Sequence, residues 1–143
     1  MNRFLLIVVA CALVSSACSA ETPGPFPVGT LEFVVSHPDA EDNIYTLSCT
    51  GDIATLVGEP SEGFTADSMC LALGDSAVRT RLIDGADPGR GCLDVFGGPD
   101  AAAVRGELDG NSVDTTFDRV DSCGIDEWDF LMAQLLPPPR PES

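Results

Sequence analysis

The sequence predicts an α+β domain, on three observations. Short segments alternate apolar and polar residues, as half-buried strands do; two later segments space their apolar residues as helices do; and an Asp-Gly pair joins two alternating runs as an antiparallel hairpin turn would. The chain has 143 residues, some of which read as an export leader, so it has material for one small core.

Residues 1–17 have the layout of a lipoprotein-type signal peptide. Arg3 gives the positive start, and Phe4 to Val14 (FLLIVVACALV) gives an apolar run too short to span a bilayer. Ser15 to Cys18 (SSAC) satisfies a lipobox, which predicts cleavage before Cys18 and lipidation of that cysteine. Ordinary cleavage after Ala20 is the alternative and would give a fully secreted protein. Membrane contact is expected only through such a lipid anchor, which holds stably when more than one acyl chain is attached. Residues 18–29 are rich in Pro and Gly and read as a flexible stalk, residues 30–136 as the folded domain, and residues 137–143 as a disordered tail.

Charge removes one function class. Loss of the leader takes Arg3 and no acid, leaving six basic and 23 acidic side chains, a net of −17. Phosphate-backbone binding needs clustered Lys and Arg, and this chain has no lysine, so nucleic acid is excluded as a partner. Cys11 lies in the leader and Cys18 at its end, which leaves Cys49, Cys70, Cys92 and Cys123 for the domain. An exported chain meets oxidising conditions, and no CxxC pair or second histidine supports zinc, so disulfides are expected. Four cysteines allow three connectivities, and their order alone does not choose among them.

Leu31 to Val35 (LEFVV) reads as a strand. Asn43 to Cys49 reads as a second, with Tyr45, Leu47 and Cys49 on one face and Ile44, Thr46 and Ser48 on the other. His37, Pro38 and Asp39 mark the turn between them, and Gly51 to Gly63 is dominated by loop formers. Thr65 is placed to cap a short helix that turns Cys70 to the core. Around Asp109-Gly110, pairing Leu108 with Asn111 sets Gly106 opposite Val113, Val104 opposite Thr115 and Ala102 opposite Phe117, while Arg105 meets Asp114 on the other face. Gly124 to Leu136 has helical spacing through Ile125, Trp128, Leu131 or Met132, and Leu135, and the prolines that follow stop it.

Tyr45 to Cys49 (YTLSC), Asp67 to Cys70 (DSMC), Gly91 to Phe96 (GCLDVF), the hairpin, and Phe117 to Cys123 (FDRVDSC) together resemble the subtilisin-inhibitor-like family of actinobacterial serine protease inhibitors over about Leu31 to Trp128. The resemblance implies a single antiparallel β-sheet covered by two short helices. It pairs Cys49 with Cys70 and Cys92 with Cys123, and it suggests a homodimer through the sheet. It also implies an exported inhibitor whose disulfide-tethered loop, Cys92, Leu93, Asp94, Val95 and Phe96, binds a secreted serine protease as a substrate does, with Asp94–Val95 as the reactive bond. Family members usually carry Met, Lys or Arg where Asp94 stands, and Pro where Leu93 stands. An ionised carboxylate loses hydration in the apolar pocket of a subtilisin, so Asp94 points to a protease with a basic pocket, or to a fold kept without inhibition.

Three other readings compete. Leu93, Val95 and Phe96 could belong to a strand whose alternate residues pack inward, with Gly97 to Pro99 turning the chain. The acidic domain could be a surface-anchored binding module for a basic partner. Catalysis is not expected, because the only histidine, His37, lies in a turn and a Ser-His-Asp triad would rest on it alone. Asp118 with Asp121 and Asp126 with Glu127 are expected as solvated surface in a chain of 23 acids. The stretch from Asp109 fails as a calcium loop, having Asp114 where Gly is needed and Val120 where Glu is needed, so no metal or cofactor is expected.

Overall fold

The computed structural model describes residues 24–60 and 63–139. The leader, Cys18 with its lipidation, and the alternative cleavage after Ala20 lie outside the described residues. The elements in chain order are β1 (Val28–His37), β2 (Ala40–Thr50), β3 (Ala54–Val57), α1 (Ala66–Ala72), α2 (Ser76–Asp84), β4 (Ala101–Leu108), β5 (Asn111–Asp118) and α3 (Ser122–Met132). The five strands form one antiparallel sheet in the order β3-β2-β1-β4-β5. This is the α+β fold with a single sheet, with three helices where two were expected.

Alternation along the strands separates the two faces of the sheet. Leu31, Phe33 and Val35 of β1 and Tyr45, Leu47 and Cys49 of β2 are buried, and the register sets Leu31 beside Leu47 and Phe33 beside Tyr45. The Phe33 and Tyr45 rings stack, with centroids 4.8 Å apart. Onto this face pack Met69 and Cys70 from α1, Val78 and Leu82 from α2, and Trp128 and Leu131 from α3. Tyr45 donates its hydroxyl to the Leu135 carbonyl at 2.8 Å, and burial pushes its phenol pKa up. The opposite face carries Glu32, Arg105 and Asp114 and leaves Ile44 and Val57 exposed.

The hairpin has the register read from its alternation: Leu108 opposite Asn111, Gly106 opposite Val113, Val104 opposite Thr115, Ala102 opposite Phe117 and Arg105 opposite Asp114. Its turn residues Asp109 and Gly110 both have positive φ, 47° and 76°, as a type I′ turn requires. Thr65 caps α1 by accepting from the Ser68 amide, and Cys70 is buried as expected. Both disulfides form in the pairing the resemblance implies, Cys49–Cys70 and Cys92–Cys123.

Several boundaries differ from expectation. Strand β1 begins at Val28, inside the segment read as stalk, because Phe26 packs against the core and its N–H donates to the Gly51 carbonyl. Strand β3 lies in a segment expected to be loop, where it adds Ala54 and Leu56 to the core through pairing with β2. Helix α2 was not expected, since only Val78 and Leu82 are fully buried, with Ile83 packing partly against the core; its N-cap is Asp75, which accepts from the Ala77 and Val78 amides. Asp121 caps α3 by accepting from the Gly124 amide, so that helix starts at Ser122 and ends at Met132, and Leu135 is buried beyond it. Pro137, at the start of the expected disordered tail, is buried as well.

Candidate functional site

Residues 85–100, between α2 and β4, hold no helix or strand. Within them Leu93 is 71%, Val95 47% and Phe96 65% exposed. The reading of these residues as a strand packed inward is therefore overturned, because all of Cys92 to Phe96 face solvent.

The loop owes its position to the segment from Arg119 to Glu127, along which it runs antiparallel. The Arg90 guanidinium meets the carboxylates of Asp126 and, at 3.4 Å, Glu127. Cys92 is bonded to Cys123, with Cα atoms 5.4 Å apart. Leu93 donates its N–H to Ser122 Oγ at 2.9 Å, and its carbonyl accepts from the Ser122 N–H at 3.0 Å. The Gly97 N–H donates to the Arg119 carbonyl at 2.7 Å. These contacts are the rungs of a ladder in which the loop's numbers rise as those of its support fall.

The spacing follows from chain geometry. Cys123, Asp126 and Glu127 stand at positions i, i+3 and i+4 of α3 and so share one helix face. Between i and i+4 a helix rises about 6 Å, and an extended chain covers about the same distance in two residues. Arg90 and Cys92 can therefore land on that face together. The ladder has its widest gap between Leu93 and Gly97. Asp94, Val95 and Phe96 span that gap as an exposed bow; Asp94 adjoins Val120 and Asp121, and Val120 is itself exposed.

Gly97 packs tightly, and a larger residue there would require the Ile125 side chain to shift. A Cβ at that position would lie 2.6 Å from Ile125 Cγ1, so the chain presses directly onto the first turn of α3. Asp94 sits at the opposite extreme. Its carboxylate has no hydrogen-bond or ion-pair partner among the described residues, while Arg79, Arg81, Arg90 and Arg105 are all engaged by other carboxylates.

The acidic pairs are not all solvated surface. Glu127 is buried and bridges two cations: Arg81 Nε lies 2.6 Å from one oxygen and Arg90 Nη1 3.4 Å from the other. The Arg81 contact is a charge pair without hydrogen-bond alignment, and the same guanidinium lies 3.8 Å over the Phe130 ring. Asp121 caps α3, and Asp118 accepts from the Val120 amide in the turn before it.

Sequence reasoning placed Cys92 to Phe96 and the disulfide in one site. It missed Arg90, Gly97, Arg119, Ser122 and Glu127; the positions of Arg119 and Ser122 just before Cys123 were a usable signal once that cysteine was paired across to Cys92. His37 lies at the end of β1, where its Nδ1 accepts from the Asp39 N–H at 3.2 Å. Cys92, Asp121 and Cys123 approach one another, but both sulfurs are in the disulfide and offer no thiolate to a metal. Among the described residues no helix is long and apolar enough to cross a membrane. No family model, curated protein or solved structure matches this chain.

Proposed function

We propose that the protein is an exported inhibitor of secreted serine proteases, similar to the subtilisin-inhibitor-like proteins, with Asp94–Val95 as the bond offered to the enzyme. The observation that carries this reading is the exposed three-residue bow Asp94 to Phe96, pinned on one side by Cys92 and Leu93 and on the other by Gly97. A chain already ordered in an extended, accessible form avoids the entropic cost of ordering on binding, and a few anchor side chains then supply most of the affinity.

The pins also account for inhibition rather than digestion. Attack by the protease's serine on the Asp94 carbonyl would form an acyl ester and release the Val95 amine. Because both flanks stay attached to the segment 119–123, that amine remains beside the ester, where it competes with water and re-forms the peptide bond. A cut loop held in this way keeps occupying the enzyme.

Asp94 sets the class of enzyme. Leu93, Val95 and Phe96 would be covered together with it, and a carboxylate desolvated among apolar side chains costs several kcal/mol unless a cation meets it. The pocket that receives Asp94 is therefore basic, which selects an acid-specific serine protease over a subtilisin. Two disulfides suit an oxidising compartment, in keeping with export, and the Ser15 to Cys18 motif is what supports a lipid anchor.

The deciding experiment titrates a domain beginning at Ser19 against an acid-specific serine protease, a subtilisin and a trypsin-like protease, following residual hydrolysis. Stoichiometric inhibition of the first is expected. Full activity of all three at micromolar protein would overturn the proposal and favour an acidic binding module, whose partner binding would weaken steeply with salt.

A further inference from the structure

We infer that Glu127 and Arg90 form a positioning clamp that fixes the orientation of the loop, which the Cys92–Cys123 disulfide alone cannot do. This inference deepens the inhibitor reading, since it names residues that would separate an inhibitor from a substrate. A disulfide fixes one point of a chain and leaves rotation about that point. A second attachment on the same helix face removes the rotation, and Arg90 supplies it two residues before Cys92.

Glu127 is placed for this task. It is 8% exposed, on the turn of α3 that follows Cys123, and it receives a cation from each side. Arg81 comes from α2, where the Phe130 ring also holds it, and Arg90 comes from the loop approach. The carboxylate thus joins α2, α3 and the loop. A buried carboxylate is costly unless paired, so Glu127 holds both cations in place, whereas exposed Asp126 adds a screened second contact to Arg90. Leu93, three residues beyond Arg90, then meets Ser122 through both its N–H and its carbonyl, one residue before the bow begins.

The test uses the amide hydrogen exchange of Leu93 and Gly97 in the whole domain, for Arg90→Ala, Arg90→Lys and Glu127→Gln. Arg90→Ala is the primary variant because its side chain is partly exposed and its loss leaves the Arg81–Glu127 pair in place. Charged hydrogen bonds of this kind set local opening, so the Leu93 amide should exchange about tenfold faster in Arg90→Ala. Gly97, held from Arg119, should change less, Arg90→Lys should recover part of the protection, and the buried strand amides of Leu31 and Leu47 should keep theirs. Unchanged exchange at Leu93 in both Arg90→Ala and Glu127→Gln would overturn the clamp.

A parallel incubation with the acid-specific serine protease tells this inference apart from the proposed function. With an inhibitory wild type, Arg90→Ala should be cut and turned over at Asp94–Val95 while the wild type persists. A wild type that does not inhibit would sink the protease reading, and the exchange result would still decide the clamp.

Discussion

The two disulfides have nearly the same chemistry and close loops of similar size, yet they do different work. Cys49–Cys70 spans a sequence separation of 21 and lies wholly in the core, tying the end of β2 to α1. Cys92–Cys123 spans 31 and lies half in solvent, with Cys92 exposed and Cys123 buried, tying a loop without secondary structure to α3. Chain entropy assigns each about 3 to 4 kcal/mol, so loop length does not distinguish them. What separates them is the surroundings: the first is one contact among many in a packed interior, and the second is one of a few tethers, with the Arg90, Leu93 and Gly97 contacts, of an exposed surface segment.

Removing each bridge in turn should expose that difference. Replacing both Cys49 and Cys70 with alanine should cost the most, about 4 kcal/mol or more, because lost crosslinking is joined by small cavities at buried positions. Urea unfolding under non-reducing conditions would measure it. The matching replacement of Cys92 and Cys123 should cost about 3 kcal/mol and, on the proposed function, abolish inhibition in a still-folded protein. If protease titration after that double replacement still gave stoichiometric inhibition, the two bridges would have to be regarded as equivalent staples.

Asp94→Met should leave the melting temperature unchanged while shifting inhibition from an acid-specific protease toward a subtilisin by about a hundredfold in inhibition constant. Indifference of both constants would place the binding surface elsewhere. The smallest effect belongs to the core and appears only at high pH. The folded phenol of Tyr45 is raised above its ordinary value of 10.0 by burial, so the unfolded chain loses that proton first. Its contribution to stability is complete below pH 10 and is lost progressively as pH rises through the folded value. Tyr45 is the only tyrosine, so phenolate absorbance followed beside unfolding reports this group alone.

Much of the sheet was legible because its signals are local. An Asp-Gly turn with period-two alternation fixes the hairpin register within the hairpin itself, and Thr65 needs only its own helix to act as a cap. Strand β3 was not legible: four residues among loop formers become a strand only because β2 offers them an edge. Helix α2 hides for a related reason, since Val78 and Leu82 are its only fully buried side chains. In the site, Cys92 to Phe96 stood out through cysteine context, whereas Glu127 looked like one acid among 23. Its burial depends on Arg81 and Arg90, which reach it from distant parts of the chain, and no local pattern encodes that meeting.

The gap in the ladder has a consequence for engineering. Asp94, Val95 and Phe96 are exposed, and the hydrogen bonds that hold the loop belong to residues on either side of them. On the proposed function the domain is a cartridge holder: the three-letter message can be rewritten, by randomisation and selection, without renegotiating the fold that displays it.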